Sequence, residues 1–210
     1  MPFRFNAITG RLDLVNGYVP PPIDFTITSF TNDIGVVEKG DIVDDATFNW
    51  IFNKTETDQT ISPPLEHPAI GVRTKIYSSL GLTTESTWTL WGTDGSTTDT
   101  AYSTIHFHDK RYWTTDVNND EPSDAEIIAM TQEFGTTRQT TKIFDCSGGK
   151  YIWICYPASW GEGTFWVSGL EVSFVNFTKD FINAHGYSTS YYCYRSLYIQ
   201  NNSAISVEVK

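Results

Sequence analysis

Cationic side chains are scarce in this sequence. Fourteen Lys and Arg stand against 25 Asp and Glu, for a net charge of −11 and an isoelectric point near 4.6. Such a surface repels a phosphate backbone and an anionic membrane, so nucleic-acid binding is set aside and membrane insertion is not expected. No apolar run approaches the roughly 18 residues that a spanning helix needs. Cysteine is equally sparse. Cys146, Cys155 and Cys193 are an odd count, which argues against a disulfide framework. Cys146 and Cys155 could meet across a hairpin, but buried free thiols are the better reading, and folding is expected in a reducing cytoplasm. The opening stretch PFRFNAITGRLDLV has no apolar core of a signal peptide and carries Arg4, Arg11 and Asp13.

Catalytic signatures are missing as well. There is no G-x-S-x-G elbow, and no pair of carboxylates stands apart as a glycosidase acid and base. The run CSGGK, residues 146–150, has the glycines and lysine of a phosphate loop but is followed by Tyr151 and a strand, so it reads as a hairpin turn. Asp116, Asn118 and Asp120 have the spacing of the first calcium ligands in a loop. Glu121 and Ile127 then occupy positions that need Gly and Glu, so a solvated linker is the reading there. His106 and His108 share one face of a strand with Asp109 beside them. His67 and His185 are remote in sequence, so no metal is assigned and the pair reads as exposed histidines at a strand end. No cofactor is expected, and no catalytic residue is named.

What is present is aromatic and strand-like. Of the 210 residues 40% are apolar and 15% aromatic, with 7 Trp, 11 Tyr and 13 Phe, ample area for more than one core. After Asn16-Gly17, a turn signal, Pro20, Pro21 and Pro22 form a stiff spacer. From residue 23 short alternating runs follow one another. DFTITSF sets Phe25, Ile27 and Ser29 against Phe30. ATFNWIFNK sets Phe48, Trp50 and Phe52 on one face and Thr47, Asn49 and Ile51 on the other. Strands with turn signals between them point to an antiparallel sandwich over residues 23–115. Residues 116–123 are an acidic loop. SDAEIIAM then carries a capping box, Ser123 with Glu126, and predicts one short helix over 124–131 at the junction of two halves. TTKIFDC, the SGGK turn and YIWICYP predict a hairpin, and further alternating runs complete a second antiparallel β-sandwich over residues 116–210. The fold class is therefore all-β: an N-terminal peptide (1–22), two sandwiches and one short helix.

Several segments together resemble tailed-bacteriophage virion proteins. FRFNAITGRLDLV is similar to the N-terminal peptide FNP-x-TG-x-LDLV of many phage structural and tail-fibre proteins, with Ala7 in place of the usual proline. NDIGVVEKGDIVDDATFNWIFNKTETDQTIS resembles the immunoglobulin-like module of phage fibre and tail proteins, and the central Trp50 fits the core pin of such a sandwich. DCSGGKYIWICYP with SYYCYRS is similar to a domain that often ends such proteins. The resemblance implies a virion structural protein, made in the host cytoplasm. It also implies a role for the opening peptide as an anchor that folds into another virion protein: Phe3 and Phe5 fill pockets, Gly10 permits a turn, Arg4, Arg11 and Asp13 set register, and Asn6 and Leu12 complete the motif. The plainer alternative is a strand packed on its own first domain. The partners expected are other virion proteins through residues 1–18, further copies of the chain (a trimer fits the resemblance), and host surface polysaccharide. For the last, Trp160, Trp166 and Tyr191 are the candidate surface-recognition residues, set against core packing or a subunit interface. A tail fibre or appendage is the leading role. A head decoration or bridging protein, and a carbohydrate-binding module, are the alternatives.

Overall fold

A computed structural model describes residues 22–210, together with the backbone of two strands nearer the N-terminus. Among the described residues the chain is all-β, with one short α-helix and with strand pairs that are antiparallel apart from β4 with β9. In chain order the strands are β1 (Phe3–Asn6), β2 (Arg11–Leu14), β3 (Ile27–Asn32), β4 (Val36–Glu38), β5 (Ala46–Phe52), β6 (Asp58–Ser62), β7 (Thr74–Tyr77), β8 (Ser86–Thr93) and β9 (Thr98–Asp116). The helix α1 (Asp124–Ala129) follows. Then come β10 (Thr131–Gly135), β11 (Thr140–Phe144), β12 (Tyr151–Pro157), β13 (Phe165–Val167), β14 (Leu170–Val172), β15 (Phe174–Ile182), β16 (Ser188–Ser196) and β17 (Ile205–Val209).

In the first half, β3, β5 and β7 form a three-stranded sheet, and β6, β8, β9 and β4 belong to a larger one. Their facing side chains make one core containing Phe25, Phe30, Phe48, Trp50, Phe52, Trp88 and Ile105, an arrangement consistent with β-sandwich packing. The alternation in β5 follows the sequence: Phe48, Trp50 and Phe52 are buried while Asn49 and Ile51 are exposed. Trp50 is anchored by its polar end, because Nε1 donates to Gln59 Oε1 at 2.8 Å and the Gln59 amide donates on to the Ala69 carbonyl at 2.7 Å. Strict alternation fails in β3. It assigns Phe25 and Phe30 to opposite faces, yet both are buried in the same core. The register against β5 shifts between Ile27 and Ser29, and one irregularity of this kind restores Phe30 to the inner face.

β9 is the spine of the molecule. It is 19 residues long, roughly 60 Å at about 3.3 Å per residue. Its first part pairs with β8, from Thr98↔Thr93 to Ile105↔Ser86, and residues 106–108 pair with β4 in parallel. Its last part pairs with β10 and β12. One sheet, β15-β16-β12-β9-β8-β6, therefore runs through both halves.

In the second half this sheet is covered on both faces, which explains why YIWICYP shows no polar alternation. Ile152, Ile154 and Tyr156 point into a core shared with the four-stranded sheet β11-β17-β13-β14. Trp153 and Cys155 point the other way, into a cluster with Ile127, Met130, Phe181 and Tyr191. Helix α1 lies on that outer face rather than between the halves. Its capping box is present, with the Ser123 side chain accepting from the Glu126 N–H and the Glu126 carboxylate accepting from the Ser123 N–H. It ends at Ala129, short of the expected 131, because Met130 adopts extended dihedrals and Thr131 begins β10.

One sequence expectation needs correcting here. β11 and β12 are not a hairpin. β12 has β9 on one edge and β16 on the other, so no edge is free, and β11 pairs with β17 in the opposite sheet. The SGGK turn, with Gly148 and Gly149 at φ 86° and 80°, is an arch that carries the chain from one layer to the next. The reading of free thiols holds: Cys155 stands opposite Cys193 on β16 and is not joined to Cys146. All three thiols are free and buried.

Candidate functional site

The segment between β3 and β5 shows what the NDIGVVEKGDIV residues are for. Asn32 Oδ1 accepts from the N–H groups of Ile34 and Gly35, at 3.1 and 2.6 Å, while its amide donates to Ser103 Oγ and the Thr104 carbonyl. That turn, with Gly35 at φ 68°, delivers β4 to β9. Glu38 then enters the boundary between the halves and is 5% exposed. Its carboxylate accepts from Lys110 Nζ at 2.8 Å and from Tyr112 OH at 3.0 Å, with His185 Nε2 3.5 Å away. Beside it Lys39 Nζ meets the buried Asp109 carboxylate at 2.5 Å. From the far side, Asn183 Nδ2 donates to the Lys39 carbonyl at 2.7 Å. Gly40 admits the turn between β15 and β16, since a Cβ there would stand 2.5 Å from Tyr187 Cβ.

This junction couples residues 38–40, 109–112 and 183–187 through charge-assisted hydrogen bonds. Burial and the neighbouring Glu38 push the Tyr112 hydroxyl far above its usual pKa, and burial does the same to Tyr191. Both phenols therefore stay protonated and act as donors, Tyr191 to the Lys110 carbonyl at 2.7 Å. The principal polar groups are spent on one another. The geometry locks one half against the other.

The opposite end of the second half is built differently. The turn at 147–150 and the loop at 197–202 hold each other: Lys150 and Gln200 exchange two backbone bonds of 2.9 and 2.8 Å, and Cys146 N–H donates to the Asn202 carbonyl at 2.9 Å. On this scaffold stand Tyr198, 72% exposed, and the exposed Leu197 and Ile199. Tyr198 and Leu197 border a cavity of about 310 Å³ that is also lined by Ile152, Val167, Val172 and Phe174. A second cavity, of about 450 Å³, opens on the α1 face. Asp116, Asp120, Glu121 and Glu126 line it above Trp153, whose indole N–H reaches the Asn118 carbonyl at 3.4 Å. Glu126 is held below the usual carboxylate range by the Ser123 hydroxyl and N–H. A general acid needs the opposite shift. Among the described residues, one group of three His, Cys, Asp or Glu side chains brings its ligand atoms together, at Glu85, His106 and His108.

The residues chosen from sequence are dispersed. Tyr191 is 2% exposed, packed on Tyr112 and Phe181, and has no face to offer a ligand. It lies two residues before the buried Cys193 on β16, so strand alternation sends both to the same covered face. Trp160 is half-buried, stacked on Tyr156, with the Arg111 guanidinium 5.6 Å from its ring centre. Trp166 is half-buried with Lys210 Nζ 4.4 Å over its ring. Sequence reading missed Tyr198, whose exposure beside the cavity follows from loop packing with no local signal. The side chains of Phe3, Arg4, Phe5, Asn6, Arg11, Leu12 and Asp13, and Gly10 altogether, lie outside the described residues. At backbone level β1 and β2 pair antiparallel, Phe3↔Leu14 to Asn6↔Arg11, as a two-stranded sheet separate from the others. No protein-family model matches this chain, and no curated protein matches it.

Proposed function

We propose that this chain is a non-enzymatic structural component of a tailed-phage virion, a tail fibre or tail-associated appendage. It is fixed by its N-terminal peptide and presents its C-terminal sandwich for attachment to the host. One observation carries the reading: β1 and β2, the FRFN and RLDL parts of the opening peptide, pair with each other and, among the described residues, with no strand of the body. A strand that merely extended the first domain would pair with β3 or another edge. Two strands paired only with each other, ahead of Pro20, Pro21 and Pro22 in the sequence, suit capture by a groove on a second protein.

The rest of the molecule supports a rigid arm. The first half is read as an immunoglobulin-like sandwich, with β3-β5-β7 facing β4-β9-β8-β6 and the parallel β4–β9 pair closing it. The second half is read as a separate sandwich domain continuing from the same long strand. The aromatic and apolar rim around Tyr198 lies at the end of β9 far from the first core, where a host surface would be met. Several copies on a symmetric particle, a trimer among the arrangements that fit, would turn weak contacts with surface polysaccharide into avidity. The test is cryo-electron microscopy of particles assembled with the full chain and with a chain lacking residues 1–18. The truncated chain is expected to fold and to be absent from the particle. Normal incorporation would overturn the anchor. Density on the capsid in place of the tail would move the assignment to a head decoration protein.

A further inference from the structure

We propose that Glu85, His106 and His108 form a binding site for a divalent first-row transition ion of the zinc, nickel and copper class. The site is a consequence of strand register. Ile105 and Phe107 are buried in the first core, so the residues between and after them, His106 and His108, share the outward face of β9. Their rings lie side by side, with centroids 5.4 Å apart and planes at 40°. The third donor comes from 21 residues upstream. Because Ser86 pairs with Ile105, Glu85, just ahead of β8, comes beside His106, and its Oε2 lies 2.8 Å from His106 Nδ1.

The ligand atoms of the three residues all lie within 4.8 Å of one another. A tetrahedral ion with bonds of about 2.0–2.2 Å holds its ligands roughly 3.3 Å apart. The remaining closure is within reach of small side-chain rotations, since His106 is 42% and Glu85 60% exposed. An ion pair between His106 and Glu85 accounts for two members only. The His108 ring makes no hydrogen bond among the described residues, yet it completes the cluster. The donor set selects the ion. Calcium and magnesium require six or more oxygens, whereas two imidazoles with one carboxylate suit zinc, nickel or copper and leave a fourth position for water. The bound ion would tie the segment before β8 to β9 beside β4, where His106 and His108 pair with Val36 and Glu38.

The experiment is isothermal titration of the untagged full chain with Zn²⁺ at pH 7.5, with thermal melts of the same samples. One equivalent is expected to bind and to raise the melting temperature. H106A and H108A should each weaken binding by about 100-fold or more, since even outer-shell changes at metal sites cost about 10- to 100-fold. E85Q should weaken it less. H67A, at an exposed histidine outside the cluster, should bind as the native chain does. Circular dichroism checks that each variant is folded. Absence of binding by the native chain, binding unchanged in the H106A/H108A double variant, or a loss in H67A as large as in H108A would overturn the site.

Discussion

Tyr112→Phe is the sharpest test of the junction. The ring is 1% exposed and its hydroxyl donates to Glu38 Oε1 at 3.0 Å. Phenylalanine keeps the shape and the contacts with Phe181 and Tyr191, so no cavity opens and no donor is orphaned. What is lost is one bond to a buried charge, about 1.5–3 kcal/mol. Glu38 keeps Lys110 at 2.8 Å, which places the expected loss near about 2 kcal/mol. For a chain of this size that is a fall of roughly 4–8 °C in melting temperature. Urea denaturation followed by tryptophan fluorescence measures it, with an unchanged m-value expected. A double-mutant cycle with Lys110→Met should return a coupling of about 0.5–3 kcal/mol, because both partners serve the same carboxylate. A loss below about 0.5 kcal/mol in Tyr112→Phe, the range of ordinary surface changes, would refute the claim that this network locks the two halves.

Three further outcomes are expected. The buried Glu56 carboxylate is held at about 2, below its ordinary 4.5, by the Arg73 guanidinium first and by the Gly71 N–H. This depressed value means a stabilisation fully present above about pH 4.5 and lost as pH falls toward 2. The shift corresponds to roughly 3 kcal/mol, and solvent access to Arg73 reduces it to about 1–2 kcal/mol. Glu56→Gln should flatten the stability profile in that window, as acid titration of both proteins would reveal. Gly40→Ala combines a positive φ of 91° with a Cβ 2.5 Å from Tyr187, and should cost about 3 kcal/mol. Gly148→Ala, also at positive φ but with nothing within 4 Å, should cost only about 1–2 kcal/mol in the same melts. Cys155 and Cys193 are fully buried, and burial raises the Cys155 thiol. A thiol reagent should therefore leave both unlabelled in the native chain and react with them on unfolding; rapid native labelling would contradict that.

Features that depend on near neighbours along the chain are legible in the sequence. The buried face of β5 follows from the two-residue period of ATFNWIF. The start of α1 follows from Ser123 and Glu126, whose reciprocal bonds span three residues. The odd count of cysteines leaves at least one thiol free, and the placement of the strands leaves all three so. Glu38 is visible as part of a motif, but its burial is not, because the groups that neutralise and solvate it are more than 70 residues away.

The sequence by itself determined which segments extend, where they turn, and which face of most strands is apolar. These are matters of local sterics, backbone period and side-chain capping. Tertiary structure alone decided which strand lies beside which. It placed β11 in the opposite layer from β12, returned Phe30 to the core through a shifted register, buried Tyr191 under Phe181, and brought Glu85 to His106. Pairing between distant strands is selected by the whole set of buried surfaces and satisfied edges at once, and no short stretch of residues carries that sum.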